Sequence, residues 1–252
     1  EGKHPYPRNR PPYPVTDGYK GTPTAVNNVE TLAAVPPILM YGADWYRDLG
    51  LGGHAGTKVI SLSGDVNTPG NYEVPLGLPL RTLIDEWAGG TRAGHTIQAV
   101  TMAGLSGGFL AGDDLDVTLD EPSIRSKRSM LGAGGIMVFD ETHHMIEVAH
   151  MAMEFFADES CGKCFPCRIG TQRLTERLAG GGGPGVVGPS EGGPPEGVPR
   201  DIVAWLDEVA DLGETMKATS ACGLGQVAPL ITESLVRYFP DAVRKHISGI
   251  DR

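Results

Sequence analysis

The sequence predicts an α+β protein in three segments, and three features of its 252 residues support this interpretation. Residues 58–140 contain short apolar runs separated by glycine, proline and asparagine, a pattern typical of strands and turns. From residue 141 to residue 252, apolar residues recur with the period of amphipathic helices. Residues 1–57 hold a proline-rich arm followed by one helix.

The arm and its helix form the first predicted elements. Frequent prolines over residues 5–23 predict an extended, polyproline-like conformation. Apolar spacing predicts a helix over residues 26–41, which the adjacent Pro36 and Pro37 are expected to break or kink. Polar residues near its start are plain candidates for helix caps and turns: Asn27, Asn28 and Thr31.

Residues 58–140 predict a compact module of strands around one helix. Strands are expected at residues 58–63, 72–74, 97–102 and 135–139, with a helix at 79–88 that ends at Gly89 and Gly90. The order strand, turn, strand, helix, strand is a β-grasp pattern. No polar residues converge in the sequence of this module, so a structural brace or an interface is favoured over a ligand site.

The last segment predicts a four-helix bundle. Helices are expected from about residue 142, over 168–179, over 201–217 and over 227–238. Between the second and third, residues 180–199 consist largely of glycine and proline and predict a flexible surface insertion.

All four cysteines of the chain lie within this helical segment. Residues 159–170 read ESCGKCFPCRIG, which places Cys161, Cys164 and Cys167 at C-x2-C-x2-C spacing, and Cys222 follows in CGLG. Three thiolates in one tight loop and a distant fourth make the ligand set of a [4Fe–4S] cluster. A four-thiolate zinc site remains an alternative, although zinc sites usually have two separated pairs.

Composition bounds the other classes of function. Four cysteines in 252 residues are too few for a disulfide scaffold, and no secretion signal is recognised, which predicts a cytoplasmic location. A net charge of −10 argues against nucleic acid and anionic membranes as partners. No apolar run approaches the length of a membrane span, so no direct membrane insertion is expected.

Three ordered motifs resemble the NADH-binding flavoprotein subunits. They are the cysteine motif with CGLG, TPTAVNNVET at residues 22–31, and SGDVNTPGNY at residues 63–72. That family includes the flavin subunit of complex I, the diaphorase subunit of NAD-reducing hydrogenases and the beta subunit of NAD-dependent formate dehydrogenases. Within it, CFPCRIGTQR at residues 164–173 and MAGLSGG at 102–108 most resemble the formate dehydrogenase subunits.

The resemblance implies cofactors and their residues. A [4Fe–4S] cluster is expected on the four cysteines, with Phe165, Ile169 and Leu224 as an apolar shell. FMN is expected against Asn27, Asn28 and Thr31, with NADH or NAD⁺ as substrate of the complete subunit. The module of residues 58–140 is expected to be a β-grasp of the soluble-ligand-binding type.

The resemblance also implies partners. Residues 1–57 would be the end of a flavin-binding domain and a connecting arm, so the chain is expected to be the C-terminal part of a longer subunit. Expected partners are the N-terminal flavin-binding part, a small thioredoxin-like [2Fe–2S] subunit and a larger catalytic subunit, a molybdenum or tungsten formate dehydrogenase. The alternatives are complex I, an NAD-reducing hydrogenase, or a zinc-stabilised adaptor without a redox role.

Overall fold

The computed structural model describes residues 6–8, 10–179 and 202–248. Within these ranges the chain forms a five-stranded sheet with helical segments packed on both of its faces. The predicted insertion at residues 180–199 lies outside the described residues, so its flexibility stays a prediction.

The sheet forms from one hairpin and three further strands. Its strands are β1 Thr57–Gly64, β2 Gly70–Pro75, β3 Ile97–Thr101, β4 Phe109–Leu110 and β5 Gly135–Asp140. Their order across the sheet is β2-β1-β5-β3-β4. The two strands of the hairpin, β1 and β2, pair antiparallel, whereas β1 and β5 run parallel in the centre. The carboxyl ends of β1 and β5 therefore lie at one edge.

The four predicted strands are confirmed. Strand β4 was not predicted, because its two residues are too few to show an alternation of apolar and polar side chains. The predicted helix is present as a π-helical segment, Thr82–Trp87, that directly follows Leu80 and Arg81. Gly89 and Gly90 end it with φ of +75° and +72°, a left-handed conformation that suits glycine. These features support the β-grasp interpretation, which stays a prediction.

The sheet separates two apolar cores. On one face, Ile60, Leu83 and Val138 pack together with the side chains of the π-helical segment. On the other face, Phe109 and Phe139 pack against the helices of the last segment. The Phe109 N–H donates to Ser234 Oγ at 2.8 Å, which joins the sheet edge to a helix.

The last segment has more helices than predicted. They are α4 Met145–Asp158, α5 Phe165–Leu178, α6 Ile202–Thr219, α7 Gly223–Val227, α8 Pro229–Tyr238 and α9 Pro240–Ser248. The helix predicted at 227–238 is present as α8 and begins two residues later, at Pro229, which suits the first position of a helix because it has no N–H. Helices α7 and α9 were not predicted. The predicted four-helix bundle is therefore a set of six helices in the described residues.

The helices near the start of the chain are α1 Val29–Tyr41 and α2 Ala43–Asp48, and between β4 and β5 lies α3 Glu121–Ser126. Helix α1 continues through Pro36 and Pro37, so the predicted break is wrong. The carbonyl groups that lose their N–H partners belong to the exposed residues Leu32 and Ala33, where water can bond to them.

Helix α1 is attached to the sheet through one carboxylate. Glu30 accepts a hydrogen bond from Lys58 Nζ at 2.8 Å and another from the Val59 N–H at 2.8 Å. No residue of α1 is buried in the structure, and Val29 and Leu39 are 81% and 80% exposed. The apolar face that the sequence predicts for α1 is thus uncovered within the described residues.

Among the helices of the described ranges, none combines the length and the apolar character that a membrane crossing requires.

Candidate metal centre

The cysteines lie where three helices begin or end. The loop after α4 carries Cys161, and Cys164 is the residue immediately before α5. Cys167 lies in the first turn of α5 and is 5% exposed. Cys222 occupies the equivalent position before α7, after α6 has ended at Thr219. The distant fourth cysteine therefore returns to the loop that carries the other three.

The pKa shifts of the thiols show that the four cysteines are neighbours. Burial raises the pKa of Cys167, a hydrogen bond from Ser160 opposes this, and the charges of Cys164, Cys222 and Cys161 raise it further. Burial also opposes ionisation of Cys164, but hydrogen bonds from backbone N–H groups, that of Ala221 foremost, leave its pKa below the ordinary value. N–H groups at the start of α5 favour thiolates there.

Glycines allow the close approach of these segments. Gly162 has a φ of +72°, which turns the loop between Cys161 and Cys164. A Cβ atom at Gly225 would lie 2.4 Å from Ser220 Oγ and 2.8 Å from Cys167 Cβ, so only glycine fits there. Gly170 has a different role: a Cβ atom there would lie 2.3 Å from Met216 Sδ, so this glycine lets α5 and α6 pack closely.

The separation of the sulfur atoms distinguishes the two candidate metals. Zinc binds four thiolates at about 2.3 Å in a tetrahedron, which places the sulfur atoms about 3.8 Å apart. In the described residues, which include all four cysteines, no three cysteine sulfurs lie within 4.8 Å of one another. A four-iron cluster holds its thiolates further apart, because each thiolate binds a different iron. This spacing is compatible with a four-iron cluster.

Two serines contact this centre. Ser160 Oγ lies 3.3 Å from Cys167 Sγ and also accepts a hydrogen bond from the Gly162 N–H. Ser220 is 6% exposed, and its Oγ has no hydrogen-bond partner among the described residues. A buried hydroxyl without a protein partner near Cys167 fits a site whose occupant supplies acceptors. The sequence analysis did not identify either serine; their positions next to Cys161 and Cys222 were the available signal.

The proline-rich arm lies against the cysteine loop. Lys163 Nζ donates to the Pro7 carbonyl at 2.5 Å, and Arg168 donates to the Gly162 carbonyl at 2.9 Å. Between the arm and the loop is a cavity of about 1450 Å³. Its lining includes Cys222 and Val26 together with basic side chains of the arm, Arg8, Arg10 and Lys20.

The predicted flavin contacts lie just beyond this cavity and are exposed. Asn28 caps α1, since its Oδ1 accepts a hydrogen bond from the Thr31 N–H at 3.1 Å. The Asn28 N–H donates to Asn27 Oδ1 at 2.8 Å. The capping alternative is thus present in the structure, and a flavin role for Asn27, Asn28 and Thr31 stays a prediction.

The predicted apolar shell of the cluster is only partly in place. Leu224 is half-buried and packs against the helical core, and Ile169 is half-buried. Phe165, by contrast, is 66% exposed and lies under the Arg168 guanidinium, 5.8 Å from its ring centre. It is the first residue of α5, and this position at the helix start leaves it at the surface.

The fold and the four-cysteine centre together define an iron–sulfur protein. Residues 147–180 and 199–246 match the family described as the NADH-ubiquinone oxidoreductase-F iron-sulfur binding region, and residues 59–112 match the SLBB domain. The chain belongs to the family that carries this iron–sulfur region with an SLBB domain. The [4Fe–4S] cluster is therefore its resident cofactor.

Similar proteins are subunits of NAD(P)-linked complexes. The chain is 40% identical to the NADP-reducing hydrogenase subunit HndC of Solidesulfovibrio fructosivorans over 98% of its own length and 47% of that protein. It is 39% identical to the NADH-quinone oxidoreductase F subunit of Mycobacterium bovis, over 99% of its length and 52% of the relative. The chain thus spans about half of the length of these relatives.

A solved structure agrees with these relatives. A chain in the crystal structure of an NAD⁺-reducing [NiFe]-hydrogenase in the H2-reduced state has a TM-score of 0.77 and 34% sequence identity. The match covers 96% of this chain and 38% of that one. The recognition made from the three sequence motifs is confirmed at the level of the family, and formate dehydrogenase is not favoured over the other complexes.

Proposed function

We propose that this chain is the electron-transferring part of an NAD(H)-linked flavin and iron–sulfur subunit. Its [4Fe–4S] cluster is held by Cys161, Cys164, Cys167 and Cys222 and exchanges electrons with FMN. The observation that carries this proposal is the meeting of all four cysteines at one centre within the matched iron–sulfur region.

The packing of this chain holds part of the centre firmly in place. Gly170 lets α5 pack closely on Met216 of α6, and Cys167 is almost wholly buried. When bound, the cluster accepts and releases single electrons, with a potential that its hydrogen bonds and solvent exposure set. Such a relay requires no nucleophile and no general acid or base, in agreement with a site made of thiols, serines and backbone N–H groups.

The flavin proposal concerns the start of α1. The cavity beside Cys222 also touches Val26, which immediately precedes Asn27 and Asn28. Amide side chains and helix N–H groups at such a position can donate to phosphate and hydroxyl oxygens. FMN bound there would lie next to the cluster, as electron exchange requires, while the NADH site would belong to the preceding flavin-binding part of the complete subunit.

The exposed surface of α1 supports the proposed partners. More than half of the side-chain surface is exposed at three apolar residues of α1: Val29, Leu32 and Leu39. The hydrogen bonds from the sheet to this helix, as far as the structure describes the chain, are those that Glu30 accepts. An uncovered apolar face of this kind is typical of an interface. We assign this face to the flavin-binding part of the same subunit. A thioredoxin-like [2Fe–2S] subunit and a larger catalytic subunit would complete the assembly.

The identity of the larger subunit separates the alternatives. The resemblance of residues 102–108 and 164–173 favours formate dehydrogenase, whereas the named relatives support complex I and a hydrogenase equally well. Purifying the intact assembly and assaying it with formate, H2 and quinone would decide between them. A location in the cytoplasm belongs to the same proposal.

The test of the proposal is Cys222→Ser in the complete subunit. The variant should lose most of its cluster iron and of its NADH-dependent electron transfer to partner subunits, because one thiolate ligand is lost. Ala221→Ser is the matched control, since it adds the same hydroxyl one residue earlier and leaves the thiols intact. Full iron and full relay activity in Cys222→Ser would refute the assignment.

A pair of substitutions tests the flavin contact separately. Asn28→Ala should lower FMN content and the rate of NADH oxidation by artificial acceptors, with cluster iron unchanged. Asn28→Ser retains an oxygen that can cap α1 but lacks the amide donors, so it should also lose FMN. If Asn28→Ser retained FMN as the unmodified subunit does, helix capping alone would explain the role of Asn28.

A further inference from the structure

The hydroxyl of Ser220 is the one polar group of the cysteine centre that the protein itself leaves without a partner in the described residues. The rest of this residue is fixed. Its N–H donates to the Met216 carbonyl at 3.0 Å, and its carbonyl accepts from Gln226 Nε2 at 3.1 Å. Its Oγ is buried and unbonded. A serine hydroxyl that folds into such a place without an acceptor loses its hydrogen bond to water and gains none.

The position of this hydroxyl is defined by its neighbours. The space that a Cβ atom would fill at Gly225 is 2.4 Å from Ser220 Oγ and 2.8 Å from Cys167 Cβ, so the hydroxyl lies beside the most buried of the four cysteines. The next residue, Ala221, donates its N–H to Cys164, and Cys222 follows directly. Ser220 therefore lies in the segment that carries Cys222, one residue before the N–H that binds Cys164, with its hydroxyl on the Cys167 side.

Two other buried side-chain atoms of the described residues make no hydrogen bond, Thr101 Oγ1 and His95 Nδ1, and the latter still lies 3.1 Å from Glu141 Oε1. Neither is at the cysteines: Thr101 is the last residue of β3, and His95 precedes that strand. An unbonded hydroxyl is thus not unique to this centre. Ser220 differs from these two residues because the proposed cluster, once bound, would place negatively charged sulfur atoms near its hydroxyl, and these can accept a hydrogen bond.

We propose that Ser220 donates a hydrogen bond from its Oγ to a sulfur atom of the bound cluster, either a cysteine thiolate or a cluster sulfide, and thereby raises the reduction potential. This inference rests on the proposed four-cysteine site. A donor stabilises the reduced cluster more than the oxidised one, because reduction adds negative charge to the sulfur atoms. Ser160 Oγ, at 3.3 Å from Cys167 Sγ, is a second serine hydroxyl at the centre.

The test is an EPR-monitored redox titration of the complete, cluster-loaded subunit. Ser220→Ala should shift the midpoint potential of the cluster to a more negative value with full iron content. Thr101→Val is the matched control, since it removes a buried and equally unbonded hydroxyl far from the cysteines, and it should leave the potential unchanged. In D2O, pulsed EPR should lose an exchangeable deuteron coupling in Ser220→Ala and retain it in Thr101→Val.

Each outcome is decisive. Full iron with an unchanged potential and an unchanged deuteron coupling in Ser220→Ala would overturn the inference while leaving the proposed function intact. If Ser220→Ala fails to hold iron, Ser220→Thr decides, because it keeps the hydroxyl. Normal iron and potential in the threonine variant support the inference, and equal loss in both overturns it. Absence of any cluster in the unmodified subunit would instead refute the proposed function itself.

Discussion

The two cores of the molecule differ in what completes them. The core on the π-helical side of the sheet is closed by aliphatic side chains such as Ile60, Leu83 and Val138, and its packing requires no further group. The helical core includes Leu174 of α5 and Met216 of α6, and α5 begins at the cysteine loop while α6 ends three residues before Cys222. The core on the π-helical side should therefore need no cofactor for its stability, whereas the cysteine end of the helices should depend on its cofactor.

Substitutions in the two cores should separate stability from iron retention. Leu174→Ala and Leu83→Ala each remove a fully buried leucine and should each cost about 2–5 kcal/mol of unfolding free energy. Only Leu174→Ala should also lower the iron content, because Leu174 lies on α5, the helix that begins at the cysteine loop. Denaturant unfolding and iron analysis check this, and equal iron loss in both variants would contradict the comparison.

The glycines around Cys222 offer a sharper form of the same comparison. Gly225→Ala should lower iron content and cost about 1–3 kcal/mol, since its Cβ atom would overlap Ser220 Oγ and Cys167 Cβ. Gly223→Ala is the matched control two residues earlier, where nothing lies within 4 Å of the new Cβ atom. Both variants would be loaded with iron in parallel. Equal iron in the two would show that the close approach at Gly225 does not position the ligands.

In both regions, the features that were predicted correctly are those that depend on residues close together in the sequence. Alternation and glycine turns located four strands, and the cysteine spacing located the centre. Tertiary packing decided the rest. The apolar side chains Met151, Phe155 and Trp87 share the helical period of the core but are 59%, 50% and 41% exposed, because a helical period does not say how wide the covered face is. The role proposed for Ser220 depends on the return of the chain to the cysteine loop after α6, and no local sequence pattern predicts this return.

The link between α1 and the sheet should have a smaller effect. Glu30→Gln weakens the contacts to Lys58 and to the Val59 N–H and should cost about 1 kcal/mol or less, since Glu30 is 39% exposed and solvent screens the pair. The cluster iron should be unaffected, but FMN retention in the complete subunit should fall if α1 presents Asn28. Asp44→Asn, which removes an exposed pair with Arg47 on α2, is the control. If Glu30→Gln retained as much FMN as the unmodified subunit, the attachment of α1 to the sheet would not be required for flavin binding.

The smallest expected effect is a pH dependence of folding stability that comes from Asp140, the last residue of β5. Hydrogen bonds from Thr142, opposed by burial and aided by the charges of His95 and His143, hold the pKa of Asp140 below its ordinary value. The folded carboxyl group therefore binds its proton at lower pH than the unfolded one. Its stabilisation is present above a pH of about 4 and is lost as the pH falls through the folded pKa.

Urea unfolding between neutral and acidic pH measures this dependence. The midpoint should fall on acidification, and Asp140→Asn should make the fall shallower, because the variant has no carboxyl group to protonate at this position. Asp44→Asn, at an exposed carboxylate, should leave the slope unchanged. An identical slope in Asp140→Asn and the unmodified chain would exclude Asp140 as a contributor.

The central claim is that one [4Fe–4S] cluster is bound by Cys161, Cys164, Cys167 and Cys222. Iron, acid-labile sulfide and zinc would be counted in the anaerobically purified subunit, together with its EPR spectrum after reduction, in the unmodified chain and in Cys222→Ser. The account predicts about four iron and four sulfide atoms for this centre in the unmodified chain, and their loss in the variant. One zinc ion without sulfide at the cysteines, or undiminished iron in Cys222→Ser, would contradict it.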